Sequence, residues 1–69
     1  MFSKGDLIHI PQAAVLFDEN KTGFKVVDKP VLALFVKKKN SEISQIVLEG
    51  KNWFVSTNNI YLNRGSSVN

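Results

Sequence analysis

The chain has 69 residues, of which 43% are hydrophobic and 22% are charged, with no cysteine and a single histidine, His9. This length predicts one domain near the lower limit at which a chain folds alone, and the apolar share is too high for a disordered chain. The composition lacks the thiolates of a zinc site or a disulfide framework and the histidine cluster of a transition-metal site. A net charge of +3 favours acidic partners only in a general way.

The first predicted strand is Leu7-Ile8-His9-Ile10, which follows a turn at residues 4–6 and ends at Pro11. Alternation places Ile8 and Ile10 on the core side and His9 on the outer side. No second histidine or cysteine is present to partner His9, so we expect a half-exposed strand residue rather than a catalytic one.

Residues 11–30 form one long, irregular, hairpin-like excursion between the first strand and the next apolar run. The apolar stretch 13–17 fits either an extended segment or a helical turn, and the preceding proline with Val15 and Phe17 favours the extended form. Residues 24–27 alternate in part, and Phe24 is a candidate contact residue on this excursion.

The run Val31 to Val36 is apolar at every position, which predicts the central strand. Such a strand is covered on both sides, either by the core alone or by the core inside and a partner outside. The connection that follows contains three consecutive lysines, Lys37, Lys38 and Lys39, which we interpret first as a solvated loop and second as an anion site together with Lys51.

Two apolar runs flank Glu49-Gly50-Lys51-Asn52 and predict a hairpin. A type II′ turn centred on Gly50 and Lys51 sets three cross-strand pairs: Leu48 with Trp53, Ile46 with Val55, and Val47 with Phe54. Both faces are then apolar, so one face is a candidate patch for a partner, and we choose Val47 and Phe54 for it. Which face points inward stays open, because a one-residue change in the turn swaps the faces.

The polar cluster at residues 56–59 predicts a turn before a short last strand at residues 60–62, which carries the further contact candidate Tyr61. Residues 63–69 have the composition of a flexible tail. The predicted domain therefore spans residues 1–62.

This order of strands and loops resembles the SH3-like small barrel. The resemblance implies an all-β, five-stranded barrel in which residues 11–30 form the long first loop, the Gly50 turn the distal hairpin, and residues 56–59 a single 3₁₀ turn before the last strand. Compared with signalling SH3 domains, the segment Ala14-Val15-Leu16-Phe17-Asp18 lacks the tyrosines and the acidic cluster that bind proline-rich ligands.

Three further resemblances suggest partners. The Lys4-Gly5-Asp6 opening and the basic charge are similar to nucleic-acid-binding barrels, which implies weak, salt-sensitive binding through Lys37, Lys38, Lys39 and Lys51. The segment 55–62 is similar to the closing segment of the SH3-like accessory barrel of photosystem I, which implies docking of an acidic electron carrier. The start and end of the chain resemble short proteins of tailed phages, including cyanophages, which implies a virion component or a phage factor that engages a host protein.

No motif for catalysis, phosphate binding or metal binding occurs, and the carboxylates fall at turns and strand ends. The longest apolar run has six residues, far below the roughly 20 of a membrane span. We therefore expect a non-enzymatic, cytoplasmic or virion-borne module without cofactor, metal or small-molecule substrate. Its predicted activity is contact with a protein partner, or self-association, through Phe54, Val47, Tyr61 and Phe24.

Overall fold

The computed structural model describes residues 2–20 and 22–63, which form one antiparallel sheet of seven strands. The all-β prediction is confirmed. The strands are β1 (Leu7–Ile10), β2 (Val15–Phe17), β3 (Phe24–Val26), β4 (Val31–Lys38), β5 (Ile43–Leu48), β6 (Lys51–Ser56) and β7 (Tyr61–Leu62). Their spatial order is β3-β2-β6-β5-β4-β1-β7, and within the described residues no pairing closes the sheet. Of the predicted tail, residues 63–69, all but Asn63 lie outside the described residues.

The structure has two more strands than the five expected from the sequence. Both lie in the excursion between Pro11 and Pro30, where β2 and β3 form a hairpin and β2 joins the sheet beside β6. Three residues offer a single alternation, which is too little for a sequence pattern to define a strand. The pairing of Leu16 with Val55 and of Phe17 with Phe54 fixes this segment, and such a tertiary pairing leaves no local sequence signal.

The core lies on the inner face of the curved sheet. Ile8 and Ile10 are fully buried, as the alternation of β1 predicts, and each of β2, β4, β5 and β6 contributes at least one buried apolar residue. The buried apolar residues are Ile8, Ile10, Ala14, Leu16, Val27, Ala33, Phe35, Ile46, Leu48, Val55 and Ile60. Phe2 stacks on Phe35 from outside this set, with ring centroids 5.4 Å apart.

One buried polar residue, Ser44, ties the core to the turn before the last strand. Its Oγ lies 2.6 Å from the Oγ1 of Thr57, and the backbone N–H of Thr57 donates to the carbonyl of Glu42 at 2.8 Å. Thr57–Asn59 is a single 3₁₀ turn, so the chain turns where the polar cluster predicts. The two bonds attach this turn to the start of β5.

The hairpin turn differs from the predicted one by one residue. Leu48 pairs with Lys51, so Glu49 and Gly50 are the central residues, and both have positive φ values of 55° and 78°. Positive φ at both centres defines a type I′ turn, whereas the predicted II′ turn has it at the first centre alone. The predicted register is therefore wrong by two residues: Ile46 pairs with Trp53, Gln45 with Phe54, and Val47 with Asn52. A shift of two preserves the faces, so Val47 and Phe54 both point outward.

The strand β4 is the longest, lies between β1 and β5, and contains a β-bulge. Its register with β5 shifts between Phe35 and Lys37, so Val36 is the extra residue. A bulge bends its strand and increases the local twist, which helps a small sheet to curve around its core.

Candidate protein-interaction surface

Three phenylalanines lie side by side on the outer face at one end of the sheet. Phe24 of β3 pairs with Phe17 of β2, and Phe17 pairs in turn with Phe54 of β6. We call these three residues the aromatic row. Phe24 is 68% exposed and Phe17 is 43% exposed, although phenylalanine is among the residue types most often buried. The row is therefore a surface that can still lose water on binding.

A groove of about 380 Å³ runs from the aromatic row to the loop between β4 and β5. It is lined by Phe17, Lys39, Asn40, Ile43 and Phe54. The Lys39 Nζ lies 4.8 Å from the centroid of the Phe54 ring, within the range of a cation–π contact. Asn40 shapes this loop, because its Oδ1 accepts hydrogen bonds from the backbone N–H groups of Glu42 and Ile43 at 2.8 and 2.9 Å. The groove thus combines apolar walls with one positioned cation.

A second apolar area, which we call the leucine patch, spans the neighbouring strands. Leu7 of β1 pairs with Leu34 of β4, and Leu34 pairs with Val47 of β5. In the next row Leu32 pairs with His9, which pairs with Tyr61 of β7. The leucines are 42 to 49% exposed and Tyr61 is 56% exposed. The outer side of the apolar strand β4 is thus open to solvent.

A polar pair separates the two areas on the outer face. The Nε2 of Gln45 donates to the Oδ1 of Asn52 at 3.2 Å, and these residues are the cross-strand neighbours of Phe54 and Val47. The hydrogen bond therefore lies between the aromatic row and the leucine patch. The outer face is not one continuous apolar surface but two areas with a polar divide.

The four predicted contact residues all face outward, but they belong to different areas. Phe24 and Phe54 lie in the aromatic row, while Val47 and Tyr61 lie in the leucine patch. Sequence reasoning missed Phe17, which joins Phe24 to Phe54. All three residues of Val15-Leu16-Phe17 are apolar, so no alternation marked its outer face; only the extended form expected for this segment puts Phe17 on the face opposite Leu16.

The four lysines proposed as an anion site do not come together. Lys37 and Lys38 end β4 and lie opposite Gln45 and Ser44, and Lys39 follows them beside the groove. Lys51 stands at the other end of the β5–β6 hairpin, where its Nζ lies 4.4 Å from the centroid of the Trp53 ring. Any anion site at this end of the sheet is therefore limited to Lys37, Lys38 and Lys39, and the prediction that all three lie in a loop is wrong, because β4 continues to Lys38.

A polar hollow of about 350 Å³ lies between the β2–β3 turn and the β5–β6 turn. Asp18 at its rim accepts hydrogen bonds from the backbone N–H groups of Asn20 and Thr22 and from the Thr22 hydroxyl, at 3.0 to 3.1 Å. Desolvation acts to raise the pKa of the Asp18 carboxyl, but the hydrogen bonds from Thr22, Gly23 and Asn20 outweigh it, so the pKa falls below 3.8. These bonds give Asp18 a structural role in the turn.

Residues 2–20 and 22–63 contain no group of three or more histidine, cysteine, aspartate or glutamate residues arranged to hold a metal ion. Within the same residues no helix is long and apolar enough to cross a membrane. Comparison of the chain with protein-family models, with curated proteins and with solved structures finds no match.

Proposed function

We propose that this protein is a non-enzymatic binding module that acts through protein–protein contact on the outer face of its sheet. The observation that carries the proposal is the half-exposed leucine patch on β5, β4, β1 and β7, with Leu32 and Leu34 on the internal strand β4. Completing the burial of one half-exposed leucine is worth about 1 kcal/mol by the usual area coefficients. A partner that covers three leucines and Tyr61 therefore gains several such increments.

The proposal includes an SH3-like arrangement of the central strands. Support comes from the order of β1, β4, β5, β6 and β7 along the chain and from the 3₁₀ turn that precedes β7. In this interpretation the β2–β3 hairpin is an elaboration of the long first loop. The resemblance to short tailed-phage proteins favours a virion component, or a phage factor that engages a host protein, as the setting.

The first test is the solution mass, measured by light scattering at low and high salt. Self-association through an apolar surface gives an oligomer that persists at high salt, because salt screens charges and not hydrophobic contacts. If the chain is a monomer, the variants described next are compared with the wild type for capture of a partner protein from the source cells.

Two variants and a matched control sharpen this test. Leu34→Asp and Phe54→Asp each place a carboxylate in one of the two apolar areas, and both should fold, since neither residue belongs to the buried core. Asn52→Asp puts the same charge on the same face and keeps an acceptor for Gln45. We expect at least one of the first two variants to lose the contact and the control to keep it. Unchanged mass and unchanged capture in both variants would end the proposal.

A second candidate function is weak binding of single-stranded nucleic acid in the groove. The observation that favours it is the position of the Lys39 Nζ over the Phe54 ring, beside Phe17. Proteins that bind single-stranded nucleic acid stack its bases on aromatic side chains and contact its phosphates with nearby cations. Docking of an acidic electron carrier is an alternative use of the same cations.

Fluorescence anisotropy with a short labelled single strand tests the nucleic-acid candidate. Lys38→Glu and Lys39→Glu should weaken binding across sequences and reduce its salt dependence, while Lys51→Glu at the far end of the hairpin should change little. Equal effects at all three positions would indicate attraction by net charge alone.

A further inference from the structure

The strand β3 forms one end of the sheet, and its backbone is set to accept another strand. The Asp18 N–H donates to the Gly23 carbonyl at 3.1 Å, and the Val27 N–H donates to the Ala14 carbonyl at 2.9 Å. Hydrogen-bonded and non-hydrogen-bonded pairs alternate in an antiparallel ladder, so Leu16 and Lys25 are the bonded pair between them.

Phe24 and Val26 are consequently the residues whose N–H and C=O groups point away from β2. Within the described residues no strand pairs with β3 on that side. The free edge thus offers two donors and two acceptors at the spacing that an extended chain requires. The side chains of Phe24 and Val26 are 68% and 52% exposed on the outer face, next to Phe17 and Val15.

Lys25 decides which strand this edge accepts. Its side chain lies on the other side of β3 from Phe24 and Val26, and its Nζ is 3.8 Å from the Oε1 of Glu49. Consider a second copy in the antiparallel register that pairs Phe24 with Val26 in both directions. That register puts the two Lys25 side chains directly opposite each other, which is destabilising. A lysine in the middle of a short edge strand is a common obstacle to self-pairing.

We infer that β3 is a docking edge for an extended segment of a different protein, in which an acidic residue stands between two apolar residues. The acidic residue lies opposite Lys25, and the two apolar residues lie opposite Phe24 and Val26. The bound segment thus adds one more strand with apolar side chains beside the aromatic row. The net charge of +3 also favours an acidic partner. This inference rests on the proposed role in protein contact and names the edge and the chemistry of the contact.

The probe is a short soluble peptide, Ser-Thr-Val-Glu-Val-Thr-Ser. The matched control is the same peptide with lysine in place of glutamate. Titration into the ¹⁵N-labelled protein is followed by amide chemical shifts. We expect the Glu peptide to shift the amides of Phe24 and Val26, to slow their exchange with solvent, and to bind about three- to tenfold more tightly than the Lys peptide. Lys25→Glu should reverse the preference.

Two proline variants test which backbone N–H groups of β3 point toward the free edge. Val26→Pro removes an N–H that faces the free edge, so it should abolish peptide binding and leave the β2–β3 ladder in place. Lys25→Pro removes an N–H of the bonded pair and should detach β3 from β2. Binding that survives Val26→Pro, a lack of preference between the two peptides, or shifts confined to the leucine patch would each overturn the inference.

The two proposals fail separately. If the contact of the whole protein is lost in Leu34→Asp and kept in Val26→Pro, the docking edge is refuted while protein contact stands. If Leu34→Asp, Phe54→Asp and Val26→Pro all leave the mass and the capture unchanged, the proposed function falls as well.

Discussion

Replacing Glu49 by asparagine should stabilise this protein, because Glu49 occupies the left-handed region at φ 55°. That region costs a non-glycine residue about 1–2 kcal/mol, and asparagine is the residue that tolerates it best at the first centre of a type I′ turn. The substitution also removes the ion pair with Lys25. At 3.8 Å, with side chains 45% and 79% exposed, that pair is worth only about 0–1 kcal/mol.

The net gain for Glu49→Asn is therefore about 0.5–1 kcal/mol in the free energy of unfolding. For a domain of this size each kcal/mol corresponds to about 4–8 °C in Tm, which a thermal melt followed by circular dichroism resolves. Glu49→Gln is the matched control, since it removes the same charge and lacks the tolerance for positive φ. We expect the glutamine variant to melt at or slightly below the wild type.

The comparison between the two variants is decisive for the turn. In the alternative turn centred on Gly50 and Lys51, position 49 is an extended strand residue, where asparagine is disfavoured. An asparagine variant that melts at or below the glutamine variant would refute the assignment of Glu49 and Gly50 as the central pair.

Three further changes test the core, the buried hydroxyl of Ser44 and the β2–β3 turn. Ile46→Ala, at a fully buried position of β5, should lose about 2–5 kcal/mol in urea unfolding, against about 0.5–1.5 kcal/mol for Ile46→Val; equal losses would contradict the packing. Ser44→Ala removes the 2.6 Å bond to Thr57 and should cost about 1 kcal/mol, with a smaller cost once Thr57 is already valine. The folded-state pKa of Asp18 lies below 3.8, so its contribution to stability is present above that pH and is lost as the pH falls through the lower folded value. The advantage of wild type over Asp18→Asn at pH 7 should therefore shrink as melts are repeated at successively lower pH below 3.8, and a difference that stays constant would show that the carboxylate does not stabilise the turn.

Local pattern was enough to predict much of the fold. Alternation in β1 predicted that Ile8 and Ile10 point inward, and the apolar run of β4 predicted an internal strand, which lies between β1 and β5. The division of the hairpin residues into two faces was also predicted correctly, but the sequence left open which face points inward, and the turn was predicted one residue late. A two-residue error in register leaves every side chain on its face, so the apolar pattern could not reveal it.

The candidate surface was less predictable, because it depends on which strands become neighbours. Phe24 and Phe54 are 30 positions apart in the chain, and Phe17 joins them only once β2 has paired with both β3 and β6. The split into two areas depends on the pairing of Gln45 with Phe54, which follows from the true register of the turn. Side-chain type gave the candidates, and sheet order determined their grouping.

The bulge at Val36 has a consequence for how the length of this chain can change. Phe35 pairs with Ile46 and Lys37 pairs with Gln45, so the residue between them has no partner of its own on β5. Removing it would join two stretches of ladder that are already in register, and every remaining pair of β4 and β5 would keep its partner and its face. An internal strand normally cannot lose one residue, because the loss turns all later side chains over. Here a single-residue deletion is neutral to pairing and reduces only twist, so homologous chains that differ in length by one residue in this strand can share the same sheet.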